Sequence, residues 1–177
     1  MDIIEIILFM LPAYIANSAP VLLSGWGPLD RKALFGDGNR ILGDSKTIRG
    51  TLGGIVAGIL VGAILSYNIS IYLLSPLGTP DFGFDDKMLI SSLMVLGAIL
   101  GDLLGSFIKR RLEIKPGEPF LLTDQLLFIL MAIAFSTIPK GFFISLYDLG
   151  AVLIITLFLH FAANIIAHRL NLKKVPW

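Results

Sequence analysis

The sequence predicts an all-α integral membrane protein of five transmembrane helices, with two cytoplasmic loops forming a polar site. Three observations carry this reading. Hydrophobic residues make up 55% of the 177 positions and charged residues only 15%. With a mean hydropathy of +0.84, the chain is too apolar for a soluble domain. Five apolar stretches, at 3–24, 51–74, 88–108, 120–138 and 142–166, reach the ~20 residues that a helix needs to cross hydrocarbon. The charges between them fall largely on one side. Nothing outside these stretches resembles a separate soluble domain, so residues 1–177 read as one transmembrane domain.

Orientation follows from Lys and Arg. Arg31, Lys32, Arg40, Lys46 and Arg49 lie between spans one and two; Lys109, Arg110, Arg111 and Lys115 between spans three and four; Arg169, Lys173 and Lys174 after span five. Only Lys87 and Lys140 fall on the other side. The positive-inside rule then places the N-terminus outside and the C-terminus in the cytoplasm of a multi-pass cell-membrane protein. The net charge of +1 says little, and no nucleic-acid partner is expected. The absence of cysteine excludes disulfides and thiolate metal sites. No basic residue precedes the first apolar run, which therefore reads as a retained span rather than a cleaved signal.

Span one carries Pro12 and Pro20, which are expected to break or kink its helix and free carbonyls. Its Asn17 is a candidate polar group at the cytoplasmic end. Glu5 falls at the outer interface. The loop 25–50 is rich in glycine and charge, and glycines let backbone amides approach a phosphate. It is not a Walker A loop, because Gly43 is followed by Asp44-Ser45-Lys46. Lys46, Thr47 and Arg49 stand where the positive end of the second helix begins, which makes a phosphate cradle. Gly50, Gly54, Gly58 and Gly62 in span two, and Gly97, Gly101 and Gly105 in span three, recur every four residues; such ridges let membrane helices pack closely. Residues 75–87, with Asp81, Asp85 and Asp86, read as an external loop. His160, Asn164 and His168 in span five read as interhelical hydrogen bonders, Asp148 as interfacial, and a short tail ends at Trp177.

Gly101-Asp102-Leu103-Leu104-Gly105-Ser106-Phe107-Ile108-Lys109-Arg110-Arg111 organises the rest. Asp102, Ser106 and Lys109 share one helix face. A carboxylate inside a membrane helix is unfavourable by roughly 2.5–3.5 kcal/mol at mid-bilayer, so it is kept where it meets a cation, a partner or water. Asp124 lies about one turn into span four, at a depth comparable to Asp102. Two acids from neighbouring spans facing a basic loop could share Mg²⁺, a hard cation that takes one or two carboxylates plus phosphate oxygens; the alternative is that each acid simply pairs with a nearby Lys or Arg.

Ser106-Phe107-Ile108-Lys109-Arg110, followed after four residues by Lys115, resembles the signature of the CTP-dependent phosphatidate cytidylyltransferases. Gly101-Asp102 and Asp124 resemble that superfamily's two metal-binding acids. The bacterial pattern is altered: Pro116 stands where Asp is usual, His-Gly-Gly is absent, and Gln125 replaces Arg. These departures, together with Asp37-Gly38-Asn39-Arg40 and Asp44-Ser45-Lys46-Thr47 leading to Arg49-Gly50, resemble the archaeal branch, the CDP-archaeol synthases, over essentially the whole chain. The resemblance implies that CTP and an isoprenoid ether lipid phosphate, 2,3-di-O-geranylgeranylglyceryl phosphate, give a CDP-lipid and pyrophosphate. In that scheme Asp102 and Asp124 hold Mg²⁺. Lys46, Arg49 and Lys115 neutralise phosphate charge, with Lys109 and Arg110 beside them. Ser106, Thr47, Asn39 and Asn17 offer hydrogen bonds, and Asp44 orients a cation or the ribose. A CTP-dependent polyprenol kinase and an ion channel or transporter remain open as alternatives, though the outer halves of the spans lack the ionisable groups of a continuous pathway.

Overall fold

The computed structural model describes residues 3–68, 83–115, 118, 120, 123–139 and 144–172. Five helices follow one another: α1 (Ile3–Leu23), α2 (Ile48–Asn68), α3 (Phe84–Arg111), α4 (Thr123–Ser136) and α5 (Leu146–Arg169). They correspond in order to the five expected spans. Four are long and apolar enough to cross a membrane. The exception is α4, whose 14 residues extend about 21 Å at 1.5 Å per residue. The remainder of the expected span two, Asp81, Lys140, Lys173, Lys174 and Trp177 lie outside the described residues.

The helix ends follow local chemistry. The Asp86 carboxylate accepts the Gly83 N–H at 3.1 Å where α3 starts. Lys109, Arg110 and Arg111 fill the last turn of α3, where they meet the negative end of the helix dipole. Ser145 caps α5, its hydroxyl accepting the Asp148 N–H at 3.0 Å and donating to the Asp148 carboxylate at 2.7 Å. Asp148 is thus buried in a cap rather than simply exposed at the interface.

The prolines of α1 do not break it; the helix runs unbroken through Pro12 and Pro20. Pro20 has no N–H to offer the Ala16 carbonyl one turn back. That carbonyl faces α2, where a Cβ on Gly54 would stand 2.5 Å from it. The expected freed carbonyl is real, and it is spent on helix packing. The core gathers Ile6, Phe9, Met10, Ala13 and Ala16 of α1, Ile90, Met94, Val95, Ala98 and Ile99 of α3, and Phe128, Ile129 and Ala132 of α4. A hydrogen bond of 2.8 Å between Tyr14 and Thr156 ties α1 to α5.

The glycine ridge of α3 brings α4 to backbone contact. A Cβ at Gly101 would lie 2.6 Å from both the Leu127 carbonyl oxygen and the Phe128 Cα. Neither can rotate away, so the helices would have to part. Gly101→Ala is expected to destabilise the protein by about 1–3 kcal/mol through overpacking, seen as a lower thermal midpoint in detergent. Gly150→Ala in α5, where nothing lies within 4 Å of the added carbon, should leave that midpoint unchanged or raise it.

Candidate active site

The loop between α1 and α2 is an ordered body built around one aspartate. Single antiparallel bridges join Pro28 to Thr47 and Leu34 to Arg40. Thr47 sits at the N-terminus of α2, and its hydroxyl oxygen accepts the N–H of Gly50 and of Gly25, each at 3.1 Å, which caps the helix. Inside the loop the Asp30 side chain is only 1% exposed. It accepts two hydrogen bonds from the Arg40 guanidinium, at 2.6 and 3.2 Å. It also accepts the amides of Leu42, Gly43 and Lys32 at 3.0–3.1 Å. Burial alone would raise the Asp30 pKa, but Arg40 and these amides outweigh it and hold the carboxyl well below the usual range. Arg40 also reaches the exposed Asp44 at 2.9 Å.

This loop is clamped to the end of α3. Arg111 lies between two rings, 4.8 Å from the centre of Phe35 and 4.7 Å from that of Phe107. It pairs with Asp37 at 2.7 Å and donates to the Arg40 carbonyl at 2.7 Å. Phe35 and Phe107 meet edge to face at 5.3 Å. The Arg110 stem runs beside Gly43. Asp37 is itself held by the Asn39 amides at 3.0 and 3.4 Å, so Asn39 shapes the turn that Arg111 grips.

The two deep acids stand on touching helices, each with its own lysine. The Lys46 ammonium straddles both carboxylate oxygens of Asp102, at 2.6 and 2.5 Å. Lys109 donates to Asp124 at 2.7 Å and to the Glu118 carbonyl at 2.7 Å. Asp124 also accepts the Phe120 N–H at 3.1 Å. Gly101 abuts Leu127 and Phe128, and Gly105 approaches Thr123. In this antiparallel register Asp102 and Asp124 differ in level by about 4 Å at 1.5 Å per residue. Lys46, Asp102, Lys109 and Asp124 are all largely shielded, with side-chain exposures of 13–34%.

The other expected site residues are placed less uniformly. Ser106 is half-buried one turn beyond Asp102, its hydroxyl unengaged among the described residues. Asn17 is half-buried on α1 beside Ala16, which packs against α2. The Lys115 side chain is exposed where its backbone N–H meets the Glu118 carboxylate at 3.1 Å. Arg49 faces outward from the first turn of α2. Asp44, Thr47 and Asn39 are occupied in the loop architecture just described. His160 and Asn164 sit on α5 within the bundle, His160 6.2 Å from the Phe128 ring centre. Sequence reasoning missed Asp30, and it gave Arg111 no part beyond topology. A lone acid in a basic loop was the available signal for the first; aromatics at 35 and 107 were the signal for the second.

The donor set suits a hard divalent ion assisted by substrate. Among the described residues no three His, Asp or Glu side chains gather to hold an ion by themselves. Two carboxylates from helices in contact meet the part of the Mg²⁺ requirement that protein usually supplies, leaving phosphate oxygens and water for the rest.

Fold and site define a polytopic helical membrane protein whose charged centre lies at one membrane face, under two loops. A family model described as CarS-like, CDP-archaeol synthase, matches residues 1–177. CDP-archaeol synthases of Pyrococcus furiosus, Thermococcus gammatolerans and Archaeoglobus fulgidus are 41%, 45% and 42% identical. The alignments cover 99%, 96% and 99% of this chain and 98%, 93% and 98% of those proteins. A solved structure described as an intramembrane enzyme for archaeal membrane lipid biosynthesis is 40% identical, with a TM-score of 0.75 over 93% of this chain and 95% of that one. The chain belongs to the CDP-archaeol synthase family and is a multi-pass membrane enzyme. Of the readings left open by the sequence, family membership selects the transferase.

The Asp30 hub makes the loop sensitive to acid. An aspartate whose folded pKa is depressed contributes stability above its ordinary pKa of about 3.9, and loses it as pH falls toward the folded value. Protection of the Leu42 and Gly43 amides against hydrogen exchange, corrected for the intrinsic rate, should therefore fall below about pH 4, with no trend from pH 5 to 8. Asp30→Asn should show faster trypsin cleavage after Arg31 and Lys32 at neutral pH while far-UV circular dichroism keeps its helical signal.

Proposed function

We propose that the chain transfers the cytidylyl group of CTP to an unsaturated archaeal ether lipid phosphate, 2,3-di-O-geranylgeranylglyceryl phosphate, at the cytoplasmic face of the cell membrane. One observation carries this reading: two acids on touching helices stand at adjacent levels under a basic loop, each countered by its own lysine. The N-terminus then lies outside and the C-terminus in the cytoplasm, as the distribution of Lys and Arg favours.

In this reaction a lipid phosphate oxygen attacks the α-phosphorus of CTP. A new P–O bond forms, the bond from that phosphorus to the bridging oxygen breaks, and pyrophosphate leaves. The nucleophile is already anionic, so no strong base is required, and the absence of a free histidine–acid pair at the site is no obstacle. The demand on the protein is alignment and charge neutralisation. Asp102 and Asp124 would hold Mg²⁺, which supplies neutralisation of triphosphate charge there. Pairing with Asp102 fixes the Lys46 ammonium at the membrane end of the loop. Lys109 ties Asp124 to Glu118, whose carboxylate accepts the Lys115 N–H. Lys115 and Arg49 are exposed, and Ser106 offers a hydroxyl one turn from Asp102. The lipid tails stay in the bilayer, and only the head group enters.

Asp102→Asn and Asp124→Asn should each lower CDP-lipid formation by at least about 10²-fold, the scale on which a single electrostatic contact to the reacting phosphate acts. Both should retain the wild-type elution profile in detergent. With CTP labelled at the α-phosphate, wild type should place the label in lipid. Label appearing in CDP would instead indicate a kinase, and unimpaired turnover by either variant would overturn the acid assignment.

A further inference from the structure

We propose that the lipid phosphate docks in an open groove on the outer face of α2, with its phosphate on Arg49 and an isoprenoid chain lying along Leu52 and Val56. The proposal rests on the cytidylyl-transfer reading and adds to it where the lipid binds and which cation receives it.

A groove of about 280 Å³ is lined by Leu23, Trp26, Arg49, Leu52, Gly53 and Val56. All but Arg49 are apolar or lack a side chain. Arg49, Leu52, Gly53 and Val56 fall at i, i+3, i+4 and i+7, which is one stripe of a helix. The stripe continues past the groove through the exposed Leu60 and Ile64. A chain lying on it therefore runs from a cation at the loop end into the hydrocarbon.

Two further features distinguish this groove from an ordinary lipid-facing surface. The first is the state of Arg49. Arg40, Lys46, Lys109 and Arg111 each have a carboxylate partner. The Arg49 guanidinium is exposed and has no ion pair or hydrogen bond among the described residues. It can meet an incoming anion without breaking anything, and guanidinium suits phosphate geometry. The second is the placement of Trp26. It takes φ 62°, between Gly25 at 145° and Gly27 at 78°, a left-handed conformation that disfavours non-glycine residues. The strained turn leaves the indole 70% exposed on the groove, and indoles favour the headgroup level of a membrane. Position completes the argument. Arg49 is three residues from Lys46, at most about 10 Å of extended chain, and Lys46 holds Asp102. A phosphate on Arg49 is thus held at the same end of α2 that Lys46 fastens to Asp102.

The chain has two tryptophans, so Trp177→Phe leaves Trp26 as the only indole and a reporter for the groove. Without CTP, a brominated isoprenoid ether lipid phosphate in detergent should quench Trp26 saturably. The unbrominated lipid phosphate should compete, and the neutral diether alcohol with the same chains should not. Arg49→Gln should raise the half-saturating concentration about tenfold, the usual scale for losing one charged hydrogen bond. Val56→Phe, which fills an exposed groove position and leaves the core untouched, should raise the KM for lipid phosphate several-fold with the KM for CTP unchanged. Quenching that is linear in lipid, or equal for phosphate and alcohol, would mean that the groove holds only bulk lipid and would overturn the proposal. An Arg49→Gln effect on CTP alone would overturn it too. Wild-type enzyme that forms CDP-lipid while both variants saturate normally with lipid phosphate sinks the groove and leaves the reaction standing. Wild-type enzyme that forms no CDP-lipid sinks the reaction itself.

Discussion

A carboxylate on a membrane helix has to meet positive charge, and the Asp102–Lys46 pair is how this protein satisfies that constraint. The acid comes from α3 and the cation from a loop 56 residues earlier, so the pair does more than neutralise a buried charge. It ties a polar loop to a hydrophobic bundle at one point. Removing one partner would leave the other shielded and unpaired, which is more damaging than the loss of the attraction itself. The Lys109–Asp124 pair does the same for the second loop. Each of the two loops is thereby fastened to a helix end through one of the two deep acids.

The helices make this possible by approaching closely. Gly101 meets the backbone of Leu127 and Phe128, and Gly54 and Gly58 meet the carbonyls of Ala16 and Pro12. With no hydrophobic force between helices in lipid, such close packing supplies much of the association. It also sets the levels of the acids, because sliding α3 past α4 by one turn would move Asp102 about 5.4 Å relative to Asp124. The packing that stabilises the bundle is therefore also what sets the geometry of the centre.

Much of this was legible in the sequence for a physical reason. A hydrophobic helix long enough to span a membrane announces itself by composition, and the four-residue glycine spacing of α2 and α3 announces close packing. An acid inside such a helix, as at Asp102, is improbable without a purpose. The individual partnerships were not legible. Pairing of each acid with a nearby Lys or Arg was the sequence's second reading, and the structure shows Lys46 and Lys109, first expected to meet phosphate, each on a carboxylate; which lysine meets which acid depends on how a loop folds back and not on local pattern. Asp30 was invisible for the same reason: its partners at 40, 42 and 43 are distant in sequence and two of them are backbone amides. Thr47 and Asn39 were read as hydrogen bonders to substrate, while their observed bonds build a helix cap and a turn. The break that Pro12 and Pro20 could have caused did not form, and the Ala16 carbonyl that Pro20 leaves unbonded packs against Gly54 of α2.

Asp102 and Asp124 together would hold a divalent ion on the triphosphate of CTP. A structure of the protein with CTP and Mn²⁺, a scattering substitute for Mg²⁺, would locate it through the anomalous signal of the metal. A peak is expected within about 2.0–2.2 Å of oxygens from both carboxylates and in contact with phosphate oxygens. A nucleotide bound with its metal elsewhere, and with Asp102 still on Lys46 and Asp124 still on Lys109, would contradict it.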